Sequence, residues 1–189
     1  MERHIDPSAV IGEGTTLGRF VVVEEDVTVG VNFSIGHGVV LNRGTNIGDG
    51  VRIDENTVVG KLPMKAANSA TTDGATVPPA RIGDGAIVGS SVVIYAGCRI
   101  GGRVLVADLA SIREDVTIGS YTIVGRGVTV ENKCSIGRYC KLESECYIAA
   151  YSELGDRVFV APQVATSNDN FVGRTEERFK HFKGVTVER

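Results

Sequence analysis

No stretch of this chain approaches the roughly 18 uninterrupted apolar residues of a membrane-spanning helix. The start, Met1-Glu2-Arg3-His4-Ile5-Asp6, has no cleavable-signal pattern, so a cytoplasmic protein without a membrane partner is expected. There is also no basic run interleaved with aromatic residues. With 20 basic and 23 acidic residues the net charge is -3, which argues against a nucleic-acid partner. Histidine is scarce: His4, His37 and His181 are the only three, and none lies within a few residues of another. The 24 glycines follow no Gly-X-Y period, so they point to repeated tight turns rather than to a collagen-like chain. At 189 residues and 42% hydrophobic content, one domain with a real core is expected.

What is present is a repeat of six. An aliphatic residue returns at Ile5, Ile11, Leu17, Val23, Val29, Ile35, Leu41, Ile47, Ile53 and Val59, and again at every sixth position from Ile82 to Val160. A 3.6-residue period cannot sustain that spacing, whereas short strands joined by tight corners can. The residue after each aliphatic is most often Gly, otherwise mainly Asp, Asn or Glu, and we read it as a corner with positive φ. Four positions after each aliphatic, wherever the repeat is intact, the residue is small or β-branched, with Phe33 the bulky exception, and it is expected to face inward. Cys98, Cys134, Cys140 and Cys146 all occupy that position, so they read as buried hydrophobes rather than as disulfides or a metal site.

Three hexads make one 18-residue coil. The expected fold is therefore all-β, a left-handed parallel β-helix of about eight coils in one domain, residues 1–189, with coils over 5–60 and 82–162. Ile82, Ile100, Ile118, Ile136 and Leu154 should stack, as should Val88, Val106, Val124, Leu142 and Val160. An outward column of the same spacing, Ile87, Leu105, Ile123, Lys141 and Phe159, is unexpectedly apolar, and it predicts a subunit contact near the axis of a homotrimer.

Two segments leave the repeat. Residues 61–81 are a looped-out insertion rich in Ala, Thr and Pro, either a substrate-covering or neighbour-contacting element or a tolerated loop. Residues 163–184 are a second excursion, within a carboxy-terminal segment 163–189. It contains the basic stretch Arg178-Phe179-Lys180-His181-Phe182-Lys183, whose charge suits a phosphate-bearing ligand or, alternatively, a solvated surface.

Ala107-Asp108-Leu109-Ala110-Ser111-Ile112-Arg113-Glu114, the run from Ile123 to Asn132, and Val158-Phe159-Val160-Ala161-Pro162 leading to Asn168-Asp169-Asn170 and Gly173-Arg174 resemble the hexapeptide-repeat acyltransferases. The resemblance is to those that N-acetylate amino sugars carried on a nucleotide diphosphate. It implies acetyl-CoA as co-substrate, bound in a cleft between adjacent prisms of a homotrimer, with the sugar amine attacking the thioester. A neutral amine needs positioning more than a catalytic triad.

The resemblance places Asn168 near the reacting centre and Asn170 and Arg174 near the sugar, with Asp169, Arg178 and His181 as further binding candidates. Glu143 and Glu145 are candidates for sugar binding or, with raised pKa, for proton removal. His37 is a candidate base facing a neighbouring subunit, with plain solvent exposure as its alternative. Asp108 and Arg113 fall at or beside corners, where a structural hydrogen bond or ion pair is the default. Trimeric carbonic anhydrases of similar fold bind a metal through clustered histidines, a pattern missing here, so no metal is expected.

Relatives of this kind continue with further coils beyond the stretch matching Gly184-Val185-Thr186-Val187. The sequence ends at Arg189, so it reads as lacking part of the CoA channel. The competing functions are an O-acetyltransferase of a sugar or small hydroxyl substrate, which needs a base such as His37, and a non-catalytic trimeric scaffold.

Overall fold

The computed structural model describes residues 2–69, 71, 72, 76–171 and 173–188. Strands mostly two residues long, most of them ending on a repeat aliphatic, stack into three parallel sheets. This is the parallel β-helix the repeat predicts. We call the three sides face A (from His4–Ile5 to Tyr147–Ile148), face B (from Val10–Ile11 to Thr186–Val187) and face C (from Thr16–Leu17 to Phe159–Val160).

Register follows the 18-residue step. Ile82 pairs with Ile100, Ile100 with Ile118, Ile118 with Ile136 and Ile136 with Leu154. Val88, Val106, Val124, Leu142 and Val160 do the same on face C. Across the insertion the partners are Ile47 and Ile82, Ile53 and Val88, and Val59 and Ile94, so the aliphatic columns continue in phase, with one bulge on face A between Val59 and Lys61. The inserted chain leaves and re-enters at one corner, and the ladder does not register its length.

The interior is filled by the two predicted rows. Val23, Leu41, Ile53, Val59, Ile94, Ile112 and Ile148 are fully buried, and so are the small residues between them, including Val21, Val39, Val92 and Cys98. Phe33, the bulky exception, is buried as well. Inward hydroxyls are satisfied locally: Thr122 donates to the Gly137 carbonyl at 2.8 Å and accepts from the Cys140 amide at 3.0 Å. All four cysteines are free and buried. Burial pushes the Cys98 thiol up to about 12, and those of Cys134 and Cys146 to about 11.

The corner geometry corrects one expectation. Positive φ falls three residues after the aliphatic, at Phe20, Asp26, Asn32, Leu109, Tyr121 and Tyr151 among others; among the described residues immediately after a repeat aliphatic, only Gly60 has it. Glycine immediately after the aliphatic answers a different demand, the close approach of the next coil. A Cβ at Gly119 would lie 2.6 Å from the Gly137 carbonyl carbon. Sequence alone does not separate the two causes, because both select small or flexible residues.

The excursions are shorter than expected at their ends. Lys61 and Arg81 are strand residues, and Ala165 still bridges to Tyr147 on face A. The chain then returns to face B as Thr186–Val187, in register with Glu153 and Leu154.

Candidate functional site

The three corners are not equivalent. After face B the residue following each aliphatic of the hexad repeat is glycine: Gly12, Gly30, Gly48, Gly83, Gly101, Gly119, Gly137 and Gly155. After face A it carries a side chain in every coil but that of Gly60: Asp6, Glu24, Asn42, Tyr95, Arg113, Glu131 and Ala149. The corner between faces A and B is thus the one whose backbone spacing admits a full column of side chains. Both excursions spring from it. The first leaves after Val58–Lys61 on face A and returns at Arg81–Ile82 on face B, and the second leaves after the Ala165 bridge and returns at Thr186–Val187.

Between the two excursions lies a polar network. Arg113 grips Glu114 with two hydrogen bonds, at 2.9 and 3.1 Å, and approaches Glu131 at 3.5 Å. Its guanidinium also lies 5.0 Å from the Tyr95 ring centroid. Glu114 is only 3% exposed, so its charge depends on that fork. The first excursion docks here: Thr72 donates to Glu114 at 3.1 Å and accepts from Arg113 at 3.2 Å, while the Asn132 amide donates to the Thr71 carbonyl at 2.7 Å. Asn132 is fully buried, and its carbonyl oxygen has no partner among the described residues.

Beside this corner the outward row of face A changes character. Val22, Val40, Val58 and Val93 give way to Ser111, Thr129 and Tyr147, stacked in register. Burial, and then the negative Glu131, raises the Tyr147 hydroxyl above its usual range, so it is protonated at neutral pH. The lower half of face A therefore presents hydroxyl donors flanked by Arg113 and Glu131, with the second excursion at its foot.

The structure splits the residues singled out from the sequence into two groups. Asn168, Asp169, Asn170, Arg174, Arg178 and His181 lie in the second excursion, on the face A–B corner. His37, Glu143 and Glu145 lie on the face C–A corner. His37 and Glu143 are five rungs apart, about 24 Å at the ~4.8 Å strand spacing, so they do not serve one reacting centre within a single chain. The His37 imidazole Nδ1 accepts the Arg19 amide at 2.7 Å, which occupies one ring nitrogen with the backbone.

Glu145 does not meet the condition of a raised pKa. Hydrogen bonds from Gln163 and Arg126 hold its carboxyl below the usual range. No side-chain partner is recorded for the half-buried Glu143 among the described residues. Asp169 organises its own loop. It accepts the Phe171 and Gly173 amides at 2.9 Å each and pairs with Arg178 at 3.4 Å. Desolvation pulls its pKa upward, but these donors outweigh it and leave the carboxyl below its ordinary value.

His181 sits against Glu177, at 3.9 Å, and its ring is 5.8 Å from that of Phe171. Asn168 is half-buried at the start of the loop, while Asn170 and Arg174 are exposed, and no side-chain bond ties these three down among the described residues. Asp108 accepts the Ser90 amide at 2.8 Å, the structural bond expected at a corner.

Tyr95, Thr72, Glu131 and Asn132 were not singled out from the sequence. The signal that marks two of them, Tyr95 and Glu131, is the missing glycine at every third hexad corner. Among the described residues, no group of three or more His, Cys, Asp and Glu side chains is placed to hold a metal ion, and no helix is long and apolar enough to cross a membrane.

A family model described as the GMPPB C-terminal domain matches residues 71–173. No curated protein matches the sequence. Among solved structures, LpxA, a UDP-N-acetylglucosamine acyltransferase from Bacteroides fragilis, superposes with a TM-score of 0.70 at 21% identity, covering 94% of this chain and 79% of that one. The UDP-N-acetylglucosamine acyltransferase of Campylobacter jejuni gives 0.53 at 21% identity over 87% of this chain and 69% of that one. That of Francisella novicida gives 0.56 at 22% over 87% and 63%. At these identities the likeness is one of fold.

Proposed function

Because the chain belongs to the GMPPB C-terminal domain family and shares its fold along nearly its whole length with an acyltransferase of nucleotide sugars, we propose that it transfers an acyl group, acetyl from acetyl-CoA, to the amine of a nucleotide-linked amino sugar. The observation that carries the reading is the single corner from which both excursions emerge, because it brings the loop of Asn168, Asn170 and Arg174 beside the hydroxyl row of face A. Asn168 lies at the mouth of the second excursion, where it would orient the sugar near the thioester. Ser111, Thr129 and Tyr147 offer hydroxyl partners, and Glu131 an acceptor for the amine. Arg174 is available for the phosphates.

Catalysis by positioning asks little more of the protein. The amine attacks the thioester carbonyl, the C–S bond breaks, and the departing thiolate takes the surplus proton. The acyl donor would lie between neighbouring prisms of a homotrimer, packed through the apolar column Ile87, Leu105, Ile123 and Phe159 of face C. Ile87 and Phe159 are 44% and 62% exposed in the isolated chain, as an unfilled contact requires. An O-acyl transfer would need a base for the hydroxyl, and His37 offers only its second ring nitrogen for that.

The deciding experiment follows thiol release from acetyl-CoA with a panel of nucleotide-linked amino sugars. Asn168→Ala should lower kcat about a hundredfold, as expected for a misplaced nucleophile, while His37→Ala should leave the rate nearly unchanged. No thiol release, together with no thermal stabilisation by acetyl-CoA, would rule the reading out. It would favour a non-catalytic prism, a reading supported by the engagement of Arg113 with Glu114 and Thr72, and of Asp169 with its own loop.

A further inference from the structure

On the corner between faces B and C, four consecutive rungs carry Arg103, Tyr121, Tyr139 and Arg157, all in the left-handed backbone conformation. The two tyrosine rings are parallel within 6° at 4.9 Å, and a guanidinium caps each end, Arg103 5.6 Å from Tyr121 and Arg157 5.3 Å from Tyr139. The result is a continuous cation–π stack in the order Arg, Tyr, Tyr, Arg. One rung above Arg103 the same position is Gly85, so the stack stops at an exposed guanidinium that has no carboxylate partner among the described residues.

Beside the open end of the stack is a notch of about 410 Å³, lined by Gly83, Asp84, Gly102, Arg103, Ser120 and Tyr121. Gly83 and Gly102 give it a floor without side chains. At its edge, one Asp84 oxygen accepts the Asp49 amide at 3.0 Å, which leaves the other without a partner among the described residues.

We propose that this notch binds the base of a nucleotide, which continues the stack on Arg103 and donates N–H groups from its edge to Asp84. A planar heterocycle matches a flat, cationic, π-stacking surface, and guanidinium planes and aromatic rings are the groups on which bases stack. A carboxylate acceptor favours a base with adjacent donors, such as guanine, over one with a single N–H. The identification of the ligand as a nucleotide rests on the proposed function; the notch and the stack do not.

The test is isothermal titration of the intact chain with GMP and with ribose 5-phosphate, in the absence of any acyl donor. GMP should bind and ribose 5-phosphate should bind at least about tenfold more weakly, because it lacks the stacking group. Gly85→Asn puts a side chain against the outer side of Arg103, where the base would stack, and keeps the fold. Asn32 holds the same left-handed corner position two coils above, and a Cβ at Gly85 comes no nearer to the structure than 3.4 Å, at Arg103 Cγ. That variant, which leaves every charge in place, and Arg103→Ala should each weaken GMP binding about tenfold. The proposal fails if GMP does not bind, if ribose 5-phosphate binds as well as GMP, or if Gly85→Asn binds GMP as tightly as the wild type. Absence of thiol release with GMP binding intact would count against the acyl-transfer reading alone.

Discussion

Individual residues in this fold are constrained by which of two backbone demands they meet. Gly119 has no room for a side chain, whereas Ser91 holds a left-handed φ of 56° at an exposed corner. Gly119→Ala should therefore destabilise the protein by about 1–3 kcal/mol, as overpacking does, while Ser91→Gly should change stability by less than about 1 kcal/mol. Urea midpoints of the two variants distinguish these demands. The buried thiols give a second prediction. Cys98 ionises in the folded state near 12, above its unfolded value, so its contribution is complete below about pH 9 and is lost as pH rises toward 12. The urea midpoint should fall across that window, and fall less in Cys98→Ala. The folded protein should also resist iodoacetamide at pH 8 and react once denatured.

At the scale of elements, Thr72 ties the first excursion to the Arg113–Glu114 charge pair. Removing Arg113 leaves the Glu114 carboxylate buried without its partner. Arg113→Ala should cost about 3–5 kcal/mol, whereas Thr72→Val should barely move the melting temperature yet speed tryptic cleavage after Lys65. Equal proteolysis of wild type and Thr72→Val would show that the loop is held elsewhere. In the second excursion, Asp169→Ala removes the acceptor of two backbone amides, and trypsin should then cut at Arg174 and Arg178 at lower protease concentration. In the wild type the same loosening should appear as pH falls below about 4, through the lowered pKa of Asp169. These loops were visible in the sequence only as breaks in phase. Thr72 and Glu114 are 42 residues apart, and no local pattern links them.

For the whole molecule, the exposed column on face C predicts the assembly. Ile123→Glu should yield monomers in sedimentation velocity if that face is the trimer contact, and an unchanged sedimentation coefficient would refute it. The coil count, the identity of the interior residues and the stacking of Ile100 on Ile118 were all legible beforehand, because a period of six admits one way of turning every aliphatic residue inward. That periodicity could not tell which of the three corners differs from the others. The sequence determined that the chain winds as a three-sided prism. The tertiary structure decided that both excursions share a corner, that His37 stands far from Glu143, and that the tyrosines of one edge stack between arginines. The reason is one of range. Inward and outward are settled within six residues, but many partners of a corner residue lie on the next coil, 18 or more residues away, and which corner faces them depends on how the finished coils are stacked.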